Sequence, residues 1–329
     1  MSREPRSAPQ TLLLRRSEVA ALLDPLALVP ALRDAFVAYS AAKGERARRI
    51  RAPLGGPGTS TVLFPGTAPG VPAYTVKVHA KFPAEEPAIR GVLCLHDLET
   101  GALLAVMDST HLTAVRTGLA GALAAHVLAH PDAGRAAVIG AGVQGAQQLR
   151  SLAGLRTLER AWVYDVAPER SQAFARAMAR ELALPVEAAS SAAAAVRDAD
   201  VVLAATWSRE PFLLPGMLRP GAHVTTLGPD EPGKAEVSAD LLRSSLFVCD
   251  DRALAFEMGA LAGVGLDAAA VPAVELGEVL GGLHPGRTRP DEITVFGGVG
   301  LAFQDAVAAW AIYREAKRAN AGREIDFLA

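Results

Sequence analysis

Four stretches of the chain carry residues whose types and spacing could do chemistry. The first is Ala136-Ala137-Val138-Ile139-Gly140-Ala141-Gly142-Val143-Gln144-Gly145, an apolar run that closes in Gly140-x-Gly142-x-x-Gly145. After a strand, Gly140 makes a tight turn, Gly142 lets a pyrophosphate approach the backbone, and Gly145 lets the next helix close on the strand. The phosphates would sit at a helix N-terminus, where free N–H groups and the dipole favour negative charge. Asp165, at the end of Ala161-Trp162-Val163-Tyr164-Asp165, follows Gly145 by twenty residues, the spacing at which an acid meets an adenosine ribose. The competing reading is a plain glycine-rich turn, with Asp165 capping a helix that begins near Pro168. Strand, glycines and acid spacing agree, which favours the dinucleotide.

The second stretch, Tyr74-Thr75-Val76-Lys77-Val78, puts a lysine in an apolar strand. A buried lysine needs a partner or a function, although on pattern alone an edge-strand lysine facing water is the commoner outcome. The third is Ala114-Val115-Arg116-Thr117-Gly118, whose arginine fork suits a carboxylate or a phosphate; most helical arginines are surface residues. The fourth is the polar run from Thr226 to Glu236, leaving the end of a strand, where open α/β sheets place ligand-contacting residues. Asp230 is its natural acid/base, and an ordinary solvated loop is the alternative. Cys and His show no zinc-type spacing and there is no Gly-x-Ser-x-Gly elbow, so the sequence predicts no metal site.

The elements that position these residues are legible in outline. Ser17 to Ala42 reads as two helical pieces, the first capped by Ser17 and the second opened by Pro25. Strands follow at about Ser60–Phe64, Ala73–His79, Gly91–Asp97 and Leu103–Asp108, punctuated by Gly and Pro. His111 to His130 is an Ala/Leu-rich helix stopped by Pro131. Beyond it strands and helices alternate: Ala161–Asp165, Pro168–Leu182, Val186–Ala188, Ser191–Arg197, Asp200–Thr206, His223–Leu227, Leu246–Cys249 and Ile293–Phe296. That alternation predicts an α/β fold with a Rossmann-type doubly wound parallel sheet. It follows an α+β N-terminal domain that is completed by the C-terminal helix, Leu301 to Asn320. The expected domains are 1–130, with 301–329 packing back on it, and 131–300.

Half of the 329 residues are hydrophobic and few are aromatic, a globular composition rich in helix formers. A net charge of −2 with scattered Lys and Arg argues against a nucleic-acid partner, and the basic run Glu45 to Arg51 reads as a solvated surface. Cys94 and Cys249 lie in apolar runs, as buried thiols of a reducing compartment do. No apolar stretch approaches the roughly 20 residues that cross a bilayer, so no membrane partner is expected. Met1 to Gln10 lacks the apolar core of a signal segment, which reads as a cytoplasmic protein with a frayed N-terminus.

These stretches recur in order in one family, and the chain resembles the ornithine cyclodeaminase/mu-crystallin family from about residue 12 to residue 315. The resemblance rests on Val76-Lys77-Val78, Thr100-Gly101 with Leu104-Ala105 and Asp108-Ser109-Thr110, Leu112 through Gly118, and the glycine motif. Thr206 with Ser208, Gly228-Pro229-Asp230 through Lys234, and Ile293-Thr294-Val295-Phe296 with Val299-Gly300 complete it. It implies a homodimer pairing through a shared sheet. It implies that Arg51 (with Arg49 two residues away), Lys77 and Arg116 hold a substrate carboxylate, and that Asp230 handles the amino or imino nitrogen. Arg116, Val143, Gln144, Asp165, Thr206, Leu227, Gly228 and Lys234 would join Gly140, Gly142 and Gly145 on the dinucleotide, with Gly298 and Val299 near its nicotinamide and the substrate.

Two departures matter. Where ornithine cyclodeaminases carry a glutamate for the distal amine, this chain has Val62; the family's serine in the last motif is replaced by Gly297-Gly298. A valine cannot pair with an ammonium. The expected function is therefore reduction of a small cyclic imino acid, Δ1-pyrroline-2-carboxylate to L-proline. Alternatives are ornithine cyclodeaminase, an alanine-dehydrogenase-like activity, and a non-catalytic dinucleotide-binding protein of the mu-crystallin kind. Asp165 favours NAD(H), because a carboxylate repels the extra phosphate of NADP(H); Arg170 nearby leaves NADP(H) open.

Overall fold

Alternation of buried and half-exposed residues in strands Ser60–Thr67, Ala73–Lys81 and Ile89–Asp97 is the mark of a sheet covered on one face. The computed structural model describes residues 10–42, 46, 49–56, 59–82 and 85–327. In it these strands form a seven-stranded sheet in the order Arg323–Ile325, Thr11–Leu14, Leu103–Asp108, Ile89–Asp97, Ala73–Lys81, Ser60–Thr67, Ile50–Pro53. All neighbours are antiparallel except Thr11–Leu14 and Leu103–Asp108, which run parallel. Helix Ala302–Ala319 packs its buried face, including Phe303, Ala306 and Ala309, on the central strands. It ends at Asn320, whose left-handed backbone caps it.

This sheet and helix belong to one of two compact units, formed by Met1–Ala35, Lys43–Arg116 and Leu301–Ala329; the other is Phe36–Ala42 with Thr117–Gly300. The division falls inside helix Ser109–Leu128, immediately after Arg116. The first edge of the sheet was not readable locally. Thr11–Leu14 is four residues long and Arg323–Ile325 three, too short for a periodic signal, and they become strands by pairing with each other. Arg15, not Ser17, precedes the first helix, Arg16–Leu22: the Glu18 carboxylate reaches back to the Arg15 N–H at 2.8 Å. Met1 to Pro9 lie outside the described residues, as do Glu45, Ala47 and Arg48 of the basic run.

In the second unit, strands Arg135–Ile139, Val201–Ala204, His223–Thr226 and Thr294–Gly297 are buried almost throughout, as parallel strands covered on both faces must be. The sheet has eight parallel strands, in the order Val274–Glu275, Leu246–Cys249, Thr294–Gly297, His223–Thr226, Val201–Ala204, Arg135–Ile139, Arg160–Tyr164, Val186–Ala188. Numbered in chain order from Arg135–Ile139, the last five read 3-2-1-4-5 from the Val186–Ala188 edge inward, the Rossmann arrangement. Its direction reverses between Arg135–Ile139 and Val201–Ala204, and ligands of such sheets bind beyond the C-terminal ends of the strands at that point. Among the described residues no helix is long and apolar enough to cross a membrane.

Candidate active site

The switch point is where the glycine motif falls. Gly140 has a φ of +102°, and a Cβ there would stand 2.5 Å from the Ala205 carbonyl oxygen. A Cβ on Gly145 would meet the Gly140 oxygen at 2.2 Å, so helix Val143–Leu155 can approach its strand only through glycine. Gly142 caps that helix, and the nearest atom to a Cβ there is Arg170 Nη2 at 3.9 Å. Two of the glycines are thus demanded by packing, and the third leaves open space at a helix N-terminus. The Gln144 side-chain oxygen is buried beside it with no hydrogen-bond partner among the described residues. A dinucleotide diphosphate fits this cradle in charge and in room.

Asp165 accepts the Ala141 N–H at 2.9 Å and the Ala167 N–H at 3.1 Å. It braces the glycine turn from the neighbouring strand, and helix Pro168–Leu182 is capped by Ala167 without a side-chain bond. Across the switch point the Glu236 carboxylate, 1% exposed, ties two strand ends together. It accepts the Thr206 N–H at 2.5 Å, the Thr226 hydroxyl at 2.6 Å and the Gly228 N–H at 3.1 Å. Burial pushes its carboxyl above the usual range, against the pull of these donors. Beyond Leu227, whose N–H bonds the Ala204 carbonyl, the polar loop holds Asp230 with its Oδ1 2.8 Å from Lys234 Nζ. The same ammonium lies 3.4 Å from Glu231 and 4.1 Å above the Trp207 ring. Asp230 stays partly exposed while Lys234 is buried. The loop is therefore anchored, not simply solvated.

The last strand leads into Gly297-Gly298-Val299-Gly300. The Gly298 N–H donates to the Thr226 carbonyl at 3.3 Å, and Asp250 accepts the Val299 and Gly300 N–H groups at 3.0 and 2.7 Å. A Cβ on Gly297 would lie 2.9 Å from Phe247, and one on Gly298 would lie 3.0 Å from both Leu227 and Phe296. A side chain at either position would crowd these neighbours, which is why glycines fit this turn.

In the first unit, Lys77 is in the middle of the sheet with strands on both sides, and its side chain is wholly buried. The reading as an edge-strand lysine facing water is overturned: Lys77 points to the face covered by helix Ala302–Ala319. Its ammonium lies 2.7 Å from Asp305 Oδ2, donates to the Thr113 hydroxyl at 3.3 Å and stands 4.5 Å from the centre of the Phe64 ring. Arg116, 4% exposed and so not a surface arginine, donates from Nε to Asp305 Oδ1 at 3.0 Å and from Nη1 to Gln304 Oε1 at 2.7 Å. Burial pulls the Lys77 pKa down to about 7, with Asp305 opposing the fall and Arg116 and Arg49 adding to it. The two cations hold the Asp305 carboxyl below its ordinary value despite burial.

Antiparallel register puts Phe64 opposite Lys77, Val62 opposite His79 and Arg51 opposite Val62, all on this face. Val62 is 4% exposed and His79 6%. The His79 ring is 5.3 Å from that of Phe64, and burial followed by the Lys77 charge lowers its pKa to about 3, so it is neutral. Arg49 sits 4.9 Å from the Phe64 ring, on the same side as Arg51, which is exposed on the outermost strand. Sequence reasoning missed Asp305, Gln304, Glu236 and Asp250. A signal existed for the first: an acid inside Ala302-Phe303-Gln304-Asp305-Ala306-Val307-Ala308-Ala309 is out of place on an apolar helix face.

A doubly wound sheet with this glycine turn at its switch point defines an α/β protein of the dinucleotide-binding class. The model of the ornithine cyclodeaminase/mu-crystallin family matches residues 10–320. The chain is 30% identical to the alanine dehydrogenase of Archaeoglobus fulgidus, over 97% of this chain and 99% of that one. The structure of Thermococcus litoralis Δ1-pyrroline-2-carboxylate reductase in complex with NADH and L-proline matches with a TM-score of 0.89 and 29% identity, covering 96% of this chain and 100% of that one. An archaeal alanine dehydrogenase dimer with bound NAD matches at 0.90 and 29%, covering 97% and 100%. The chain belongs to the ornithine cyclodeaminase/mu-crystallin family.

Proposed function

We propose that this protein is a nicotinamide-dependent reductase of a small cyclic imino acid, converting Δ1-pyrroline-2-carboxylate to L-proline. One observation carries the choice of substrate: the buried face around Lys77 offers charge for a carboxylate, and the apolar Val62 and Phe64 stand opposite His79 and Lys77. The carboxylate there, Asp305, is already shared by Lys77 and Arg116. A diamino acid would bring a second ammonium beside Val62, which cannot pair with it, and beside cations that already share Asp305, which is costly.

Bound NADH would supply a hydride to the carbon that bears the carboxylate. Lys77 and Arg116 grip that carboxylate, with Arg51 at the edge strand beside Arg49. Asp230 keeps the ring nitrogen protonated, because an iminium accepts hydride far better than a neutral imine. In the second unit Gly140, Gly142, Val143, Gln144, Gly145, Asp165, Thr206, Leu227, Gly228 and Lys234 line the dinucleotide. Gly298 and Val299 flank the nicotinamide and substrate. Asp165 favours NAD(H). The protein acts in the cytoplasm as a homodimer: the outer sheet face, with Val78 and Val92 paired across strands at 39% and 46% exposure, suits a second copy of this chain.

Oxidation of NADH followed by its absorbance, with Δ1-pyrroline-2-carboxylate as substrate, tests the reading. A parallel reaction holds ornithine and NAD and is scored for ammonia and proline. Rapid oxidation in the first and silence in the second is expected; turnover of ornithine would overturn it. The likeness to an alanine dehydrogenase over 97% of the chain favours one second reading, reduction of the linear imine of pyruvate, and a third reaction with pyruvate and ammonium separates the two.

A further inference from the structure

Lys77, Arg116 and Asp305 come from a strand, a helix and the C-terminal helix, yet their charged groups meet with at most 4% of any side chain exposed. Two buried cations sharing one carboxylate leave a single positive charge in excess. We propose that Asp305 is the positioning residue of the substrate site: it holds the Lys77 ammonium and the Arg116 guanidinium on the two oxygens of one carboxylate, and so fixes both their spacing and the net charge offered to one substrate carboxylate. This rests on the reading of Lys77 and Arg116 as carboxylate-binding groups.

The geometry separates the two contacts. Arg116 meets Oδ1 through an N–H of good hydrogen-bond geometry and is braced a second time by Gln304. Lys77 meets Oδ2 as an ion pair at 2.7 Å and also donates to the Thr113 hydroxyl. Arg116 is thus aimed by Asp305 and Gln304, while Lys77 is held by Asp305 and Thr113 and has one of its three ammonium protons left for a ligand. Without the Asp305 charge, two like charges would face each other out of water, and the lysine would yield first because its proton can leave and the guanidinium's cannot. The groups facing Lys77 are Asp305, which favours its charge, and Arg116 and Arg49, which oppose it; His79 and Lys81 lie further along its own strand. Asp305 is the one acid of that set.

The test is D305N in the full-length protein. Substrate affinity needs a protonated Lys77, so 1/KM falls as pH rises through the Lys77 pKa. Removing the charge that supports the ammonium should move this limb to lower pH by at least about one unit, a tenfold loss at fixed alkaline pH. kcat at saturating substrate should change by less than about threefold, because the residue acts on binding. D305E, which keeps the charge on a longer arm, should restore the limb while KM stays raised. A D305N limb that stays in place, or a D305E that fails to restore it, overturns the proposal. Lysine side-chain NMR with the Lys77 signal assigned by K77R reads the same midpoint without substrate. It distinguishes failure of this inference from failure of the reductase reading: in a chain inactive on the imino acid, the midpoint still moves if Asp305 governs Lys77. Should D305N not fold, D305E carries the test alone, and a wild-type KM in that variant overturns the proposal.

Discussion

Under the proposed function the two units hold an anion by opposite means. The second uses main chain: a turn at Gly140, a helix beginning at Gly142, and strand ends fastened by Glu236 and Asp250 through backbone N–H groups. The first uses side chains, with Lys77 and Arg116 buried around Asp305. A diphosphate spreads its charge over several oxygens and can be met by many weak N–H donors. A carboxylate is small, and discriminating it from similar groups takes fixed full charges in a dry place. The cost of burial is visible in the Lys77 pKa of about 7.

Substitutions should sort by this division, with substrate constants moving for the first unit and dinucleotide constants for the second. The largest effect is expected for K77M: kcat/KM for the imino acid should fall by about 10³, the loss that follows removal of one member of a buried charge set. NADH affinity by fluorescence titration should stay within about twofold, and an equal loss of both would break the division. D230N should lower kcat by about 10² or more, as removal of a general acid does, with little change in NADH affinity. For G145A, whose new methyl would press on the Gly140 oxygen, the overpacking cost of about 1–3 kcal/mol should weaken NADH at least about tenfold and leave the substrate KM in place.

E236Q turns one accepting oxygen into a donor, which then faces either the Thr206 N–H on one side or the Gly228 N–H on the other. A loss of about 1–3 kcal/mol is expected, read as a lower unfolding temperature that bound NADH partly restores. The smallest effect concerns acid. Among the described residues each unit holds one buried neutral histidine, His79 and His223, with a folded pKa of about 3 against an ordinary 6.5. The unfolded chain binds the extra protons between those limits, so stability is intact above about pH 6.5 and drains as pH falls toward 3. H79F should flatten that loss for amides of the first unit and leave the second unit unchanged in hydrogen exchange; equal protection in both would show that they unfold as one.

What could be read locally was read well. The glycine turn, the strand before it and helix Pro168–Leu182 are written in contiguous residues, with turn, cap and period agreeing. Leu301 to Asn320 likewise became helix Ala302–Ala319 with those two residues as its caps. Strand Thr11–Leu14 was not legible, because it exists only through partners about ninety and more than three hundred residues away.

The sequence by itself determined the fold class, the family and the glycine cradle, since each depends on neighbours along the chain. Only the tertiary structure decided that Lys77 and Arg116 are buried and that Asp305 joins them. A lysine in an apolar strand and an acid in an apolar helix are each ambiguous alone. Residues 77, 116 and 305 become one electrostatic unit only when sheet and helix pack, because charges that water would screen apart are forced to answer each other once it is excluded.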